Sequence, residues 1–173
     1  IGPVQLQDQR LQCTACHDPH HNLYRDFLVV TNQYSELCTQ CHQRTFWDLS
    51  THKLSAATWN GIGPDPWFHS EFNTVGENAC ENCHNPHTAS RNTRLFNYIT
   101  EETNCLVCHN GNVASTSLEI QFTKSYRHNV SGYTGIHDPE ENHIVEIRHV
   151  ECEDCHNPHA TRLSSSAPPN ANG

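Results

Sequence analysis

The chain has 173 residues, a length that fits one domain, and its 19 acidic against 10 basic residues give a formal charge of −9. That balance argues against nucleic acid or an anionic membrane surface as a partner. Hydrophobic residues make up only 35% of the sequence and prolines number nine, too little apolar material for a conventional sheet or helical bundle.

Residues 1–12 contain neither cysteine nor histidine and form an N-terminal segment without metal ligands. The next stretch, CTACHDPHHNLYRDFLVVTNQYSELCTQCH from Cys13 to His42, holds two Cys-x-x-Cys-His motifs, with Pro19 and His20 just behind the first. A connector follows in which Phe46, Trp47, Trp59 and Trp67 supply aromatic surface, and Gly61 to Pro66 reads as a turn-rich stretch. The arrangement repeats at the same spacing from Cys80 to His109, again with a Pro-His element, Pro86-His87. A third copy, CEDCHNPH, starts at Cys152 and contains one motif, followed by Pro158 and His159. The connectors repeat more loosely: THKLS at Thr51 to Ser55 matches RHNVS at Arg127 to Ser131. Likewise GIGPDPWFH at Gly61 to His69 matches GIHDPEENH at Gly135 to His143.

The repeat is thus a module of roughly seventy residues. It divides the chain into module 1 (13–79), module 2 (80–151), a half module (152–163) and a tail (164–173) of linker composition. A period of this kind fits a tandem array. The expected fold is mostly irregular, with short α-helices at the motifs and a short strand over 144–150.

Five motifs consume all ten cysteines: Cys13 and Cys16, Cys38 and Cys41, Cys80 and Cys83, Cys105 and Cys108, Cys152 and Cys155. Cysteines at i and i+3 lie on one side of a helical turn, so both sulfurs can form thioethers with one haem while the next histidine reaches its iron. This is the c-type attachment signature. Zinc ribbons also use paired cysteines. They have no need of a histidine after every second cysteine, and sites sharing two pairs call for an even number. The reading is therefore five covalently bound haem c groups, one per about 35 residues, with proximal ligands His17, His42, His84, His109 and His156. The haems would form much of the core.

A six-coordinate haem needs a second axial ligand, and methionine is absent from the sequence, which leaves histidine. His20, His87 and His159 each follow a proline that fixes its own φ and pushes the preceding residue toward extended geometry. Being so close to a proximal ligand, each should bind a neighbouring haem rather than its own. His52 and His128 occupy equivalent connector positions and complete the distal candidates, with His69 and His143 in reserve. His149 has no counterpart in the other modules, and His21 and His137 read as surface residues. The group His137, Asp138, Glu140, Glu141 and His143 reads as a solvated acidic loop rather than a cation site.

On these motifs the sequence resembles the doubled-CxxCH multihaem cytochromes c, whose CxxCH-x-Pro-His pattern followed by a second CxxCH is matched at 13–42 and 80–109. In size and haem density it is similar to extracellular cytochromes that polymerise into conductive filaments. The resemblance implies tandem two-haem modules wrapped around a haem chain and, in such filaments, a histidine at the position of His20 that ligates a haem of the adjacent subunit.

The function expected is electron transfer through five bis-histidine haems, as a subunit of an extracellular filament and with no enzymatic activity. Alternatives are a monomeric periplasmic shuttle and a multihaem reductase of a small oxyanion, which would need an open iron position. Partners expected are further copies joined head to tail, and redox proteins or extracellular acceptors. No run is long enough to cross a bilayer, the longest candidate being Phe27 to Val30. The lack of methionine reads as a processed, exported chain, located outside the cell or at its surface, with the periplasm as the alternative.

Overall fold

The structure, a computed structural model, describes residues 4–90, 94–130 and 150–161. The acidic loop from His137 to His143, His149, the strand expected over 144–150 (save its last residue) and the tail from residue 164 lie outside the described residues.

The described residues form five α-helices: α1 (Cys13–Cys16), α2 (Glu36–Thr39), α3 (Thr51–Leu54), α4 (Val75–Asn78) and α5 (Glu101–His109). Single 3-10 turns occur at Arg25–Phe27, Gln33–Ser35, Trp47–Leu49, Ala79–Asn82, Gln121–Thr123 and Cys152–Asp154. Among the described residues only isolated bridges replace strands. Every Cys-x-x-Cys element begins on or inside one of these helical turns, as the i, i+3 spacing requires, and irregular backbone fills the rest. The fold is that of a small, mostly irregular chain built of CxxCH modules.

Helices of four to nine residues have little stability of their own, and side chains fix the starts of α3, α4 and α5. Thr74 caps α4 by accepting from the Glu77 amide at 3.2 Å, and Thr100 caps α5 by accepting from the Thr103 amide at 3.4 Å. An asparagine just ahead of each following motif fastens the same turn. Asn78 donates to the carbonyls of Phe72 and Thr74 at 3.2 and 2.9 Å, and Asn104 donates to those of Tyr98 and Thr100 at 3.3 and 3.0 Å.

The interior is unusually polar. Trp47, Trp67, Val75, Phe96 and Val130 are buried, yet the most deeply enclosed side chains are those of Glu101, Glu151, Asn78, Ser35 and Ser50. Large apolar residues such as Phe46, Leu49, Leu54, Phe68 and Ile99 lie exposed on the polypeptide. Residues this small and polar cannot drive folding by burial alone, which agrees with a core expected to be made largely of cofactor.

Long-range hydrogen bonds tie the modules together. The Thr51 amide donates to the Thr161 carbonyl at 2.8 Å, and the hydroxyls of Ser50 and Thr51 both reach Thr161 Oγ1, at 3.0 and 2.8 Å. The connector of module 1 thereby touches the half module directly. The array is tandem in sequence without being strictly nearest-neighbour in space. A second tie runs from Asn60, whose amide and Nδ2 donate to the carbonyls of Asn112 and Gly111, both at 2.9 Å.

Helix α4 approaches the backbone after α3 so closely that its glycine is obligatory. A β-carbon on Gly76 would stand 2.6 Å from the Lys53 carbonyl oxygen and 2.9 Å from that of Ser55, while the Gly76 amide donates to that same Ser55 oxygen at 2.9 Å. Gly76→Ala should destabilise the haem-loaded chain by about 1–3 kcal/mol. Thermal unfolding followed by the Soret band would show this as a lowered midpoint; an unchanged midpoint would mean that α3 and α4 do not meet this tightly.

Candidate functional site

Motifs 1 and 3 are built alike. The chain leaves helical geometry at the motif histidine, with His17 at φ −118° and ψ 132°, and folds back on itself. The Asp18 amide donates to the Phe27 carbonyl at 2.7 Å and the Val29 amide to the Cys16 carbonyl at 2.9 Å. In module 2, Asn85 donates to Leu95 at 2.8 Å and Asn97 to Cys83 at 2.9 Å. Bridges pair His17 with Leu28 and His84 with Phe96. The returning segment presents a carbonyl to the ring of the histidine in these two motifs: His17 Nδ1 lies 2.8 Å from the Asp26 oxygen and His84 Nδ1 lies 2.6 Å from the Arg94 oxygen. A carbonyl can only accept, so Nδ1 carries the proton and Nε2 keeps its lone pair for a metal. His52 is held the same way, its Nδ1 donating to the Pro158 carbonyl at 2.9 Å.

Among the described residues three histidine pairs meet across modules. The rings of His17 and His87 have centroids 5.7 Å apart and are tilted by 32°, His84 and His159 stand 6.2 Å apart and nearly parallel at 4°, and His52 and His109 are 6.2 Å apart and edge-on at 68°. Two imidazoles on opposite sides of one metal ion stand roughly 6 Å apart between ring centres, each metal–nitrogen bond being about 2 Å. The spacing fits an iron between each pair. Each pair joins one motif histidine to one residue from the distal candidates, and none lies within a single motif. Burial holds the rings of His84 and His109 below their ordinary pKa and lowers that of His159 to about 4, with Arg44 and His84 adding to the effect at His159. Neutral imidazole is the form that ligates iron.

The two Pro-His contacts share an offset. His87 of module 2 faces the first motif of module 1, and His159 of the half module faces the first motif of module 2. His52 runs the other way, from the connector of module 1 to the second motif of module 2. His20 and His128 are exposed, as are His42, His156 and His69. His20 sits beside Asp18, and its side chain is 87% exposed.

Consecutive motifs are neighbours in space. Burial raises the Cys16 thiol, and Cys41 of the second motif is the next contributor. Cys38 hydrogen-bonds to Cys80 of the third motif, which pushes Cys38 up and Cys80 down to about 6. At this junction buried Ser35 accepts from the Cys80 amide at 2.8 Å and donates to the Asn78 carbonyl at 3.3 Å. Cys83 is raised to about 12 by burial, then by Cys108 of the fourth motif. Sγ of Cys105 and of Cys152 lie within 4.8 Å of each other and of a Glu101 oxygen, and Glu101 also accepts from the Glu153 amide at 2.8 Å. Only one cysteine of each pair enters that group, whereas a zinc ribbon takes both, so it is a junction between attachment sites. No disulfide joins any of the ten cysteines.

Sequence reasoning did not single out the carbonyls of Asp26, Arg94 and Pro158, nor Ser35 and Glu101 at the junctions. The carbonyls leave no trace in residue type. His87→Ala should open one iron position, turning one haem high-spin without loss of covalent attachment. The oxidised optical spectrum would register this as a weak high-spin charge-transfer band. A spectrum that stays wholly low-spin would remove His87 from the ligand set.

The family model for the doubled CXXCH motif matches residues 3–45 and 73–114. The chain is similar to the multiheme cytochrome MtrA of Shewanella baltica (strain OS185), at 26% identity over 97 residues, which is 56% of this chain and 23% of that protein. It therefore spans about a quarter of the length of that relative. No solved structure matches. No helix among the described residues is long and apolar enough to cross a membrane. With motif histidines whose rings meet other histidines across modules and cysteines spaced for thioether attachment, the chain belongs to the doubled-CXXCH multihaem cytochromes c, a family whose covalent c-type haems point to electron transfer.

Proposed function

We propose that residues 1–173 carry five bis-histidine haems c in order of sequence and conduct electrons along them, without turning over a substrate. The observation that carries this reading is the set of three histidine pairs that meet across modules, each of which would offer one iron two nitrogen ligands. Bound haem supplies a one-electron centre with axial nitrogen ligands, which keeps potentials low relative to histidine–methionine ligation. The chain's part is to hold the centres close together. Contacts from motif 1 to 2, 2 to 3, 3 to 4 and 4 to 5 support a path that follows the sequence. Modules 13–79 and 80–151 and the half module 152–163 are the units of this path.

Intact mass under denaturing conditions should exceed the polypeptide mass by five haem units, and the native iron should be low-spin throughout. Fewer haems, or bound zinc, would overturn the count. High-spin iron in the native protein together with turnover of nitrite or hydroxylamine would replace conduction by reductase chemistry.

The offset between Pro-His elements and the rings they face also supports an assembly. By that offset His20 is a ligand for a haem one module nearer the N-terminus than Cys13, and we assign that haem to another copy of the chain. A head-to-tail contact that does not close generates an open array, here a conductive filament at the cell surface or outside the cell. The great exposure of His20 leaves it available for such a bond. His20→Ala should give short or single particles in electron micrographs while each chain keeps five haems. Filaments of unchanged length would remove His20 from the joint. Native protein sedimenting only as a monomer would favour a periplasmic shuttle, or a haem carried on a preceding stretch of the same polypeptide.

A further inference from the structure

We propose that Asp26 and its counterpart Arg94 set the reduction potentials of the first and third haems, through backbone carbonyls that a left-handed turn holds against the proximal histidines. The inference rests on the haem reading of motifs 1 and 3 and goes beyond it by naming residues that touch neither haem nor iron.

Asp26 and Phe27 are both left-handed, at φ 59° and 59°, and so are Arg94 and Leu95, at 60° and 54°. Residues with side chains seldom adopt this region, and aspartate alone of these four is favoured there. Glycine would be the natural choice for two such residues in succession. The conformation recurs at the same place in two modules with unrelated side chains, Asp-Phe in one and Arg-Leu in the other. What is repeated is therefore the backbone path and the direction of its carbonyl. Strain held by its surroundings at a repeated position points to a use.

The carbonyl's target is the ring nitrogen opposite the iron-binding one, at 2.8 Å for His17 and 2.6 Å for His84. An imidazole whose Nδ1 proton is shared with a strong acceptor becomes a better donor through Nε2. Stronger donation stabilises the oxidised iron, and the potential falls. The bond is braced on either side by the amide of Asp18 or Asn85 and by that of Val29 or Asn97. In module 2 Phe96 stacks on the His84 ring at 5.5 Å and 23°. The carbonyl therefore cannot swing away while the turn keeps its hand. Asp26 and Arg94 are positioning residues: the backbone at each position acts on the ring, while their side chains form partly exposed ion pairs with Arg25 and Glu153.

The test uses two variants of the full haem-loaded chain. Asp26→Gly keeps the left-handed turn, whereas Asp26→Val excludes it, because a β-branched residue is a steric outlier there. Haem count by mass and spin state by electron paramagnetic resonance come first, so that failure of the haem reading shows itself before any potential is measured. Spectroelectrochemical titration of Asp26→Val should then move one of the resolved midpoints upward and shift the g-values of one low-spin species. Asp26→Gly should match the parent protein in both. Five low-spin haems with unchanged midpoints in Asp26→Val would overturn the proposal, as would an equal upward shift in Asp26→Gly. If Asp26→Val fails to load haem, the parent protein still decides the matter through its histidine Nδ1 protons. Those of His17 and His84 should exchange with D2O far more slowly than those of a free imidazole, and exchange at the free rate would overturn it.

Discussion

Histidine rings meeting across modules are the contact on which the structure depends. The polypeptide offers short helices of four to nine residues, a handful of buried apolar side chains, and an interior in which Glu101, Glu151 and Asn78 are among the most enclosed groups. None of these would order the chain unaided. A metal ion between His17 and His87, another between His84 and His159 and another between His52 and His109 would each join segments far apart in sequence. Metal binding of this kind is folding free energy, because the site does not exist in the unfolded chain. The hydrogen bonds from Ser50 and Thr51 to Thr161 and from Asn60 to the loop after α5 then fix the modules at the distances which those pairs require.

The attachment motifs and their helical turns were legible because their chemistry is local. Two sulfurs and a histidine must serve one macrocycle, and residue spacing alone settles which residues do so. The pairing of rings was legible only in outline. The proline before His87 and before His159 forbids a return to the same haem, but the sequence does not say which neighbour is reached. His52 and His128 look equivalent on the page, and only the fold brings His52 against His109 while His128 stays exposed. Least legible were the backbone groups. A left-handed pair announced by glycine or asparagine can be read from residue type; one carried by Asp26-Phe27 and Arg94-Leu95 cannot.

The junctions show how one module is fitted to the next without an apolar interface. At the first, Ser35 spans from the second motif to the amide of Cys80; at the second, Glu101 reaches from α5 to the amide of Glu153. Both use a buried polar side chain that grasps the backbone at the start of the following attachment turn. The side chains differ, yet the consequence is shared: the cysteines of adjoining motifs come to lie side by side. Arg94 adds an ion pair with Glu153, partly exposed and so of small energetic worth.

The distance in sequence between facing rings also bears on how such a chain is made. His17 meets a partner about 70 residues further on, and His84 one at a similar remove. A polypeptide delivered N-terminus first presents Cys13, Cys16 and His17 long before His87 has emerged. For a haem held at this motif, attachment and the arrival of a second histidine would be separate events in time, the first needing a few residues and the second an entire further module. During that interval its iron would be open to any small ligand in its surroundings. Rapid delivery of the rest of the chain would then be its protection.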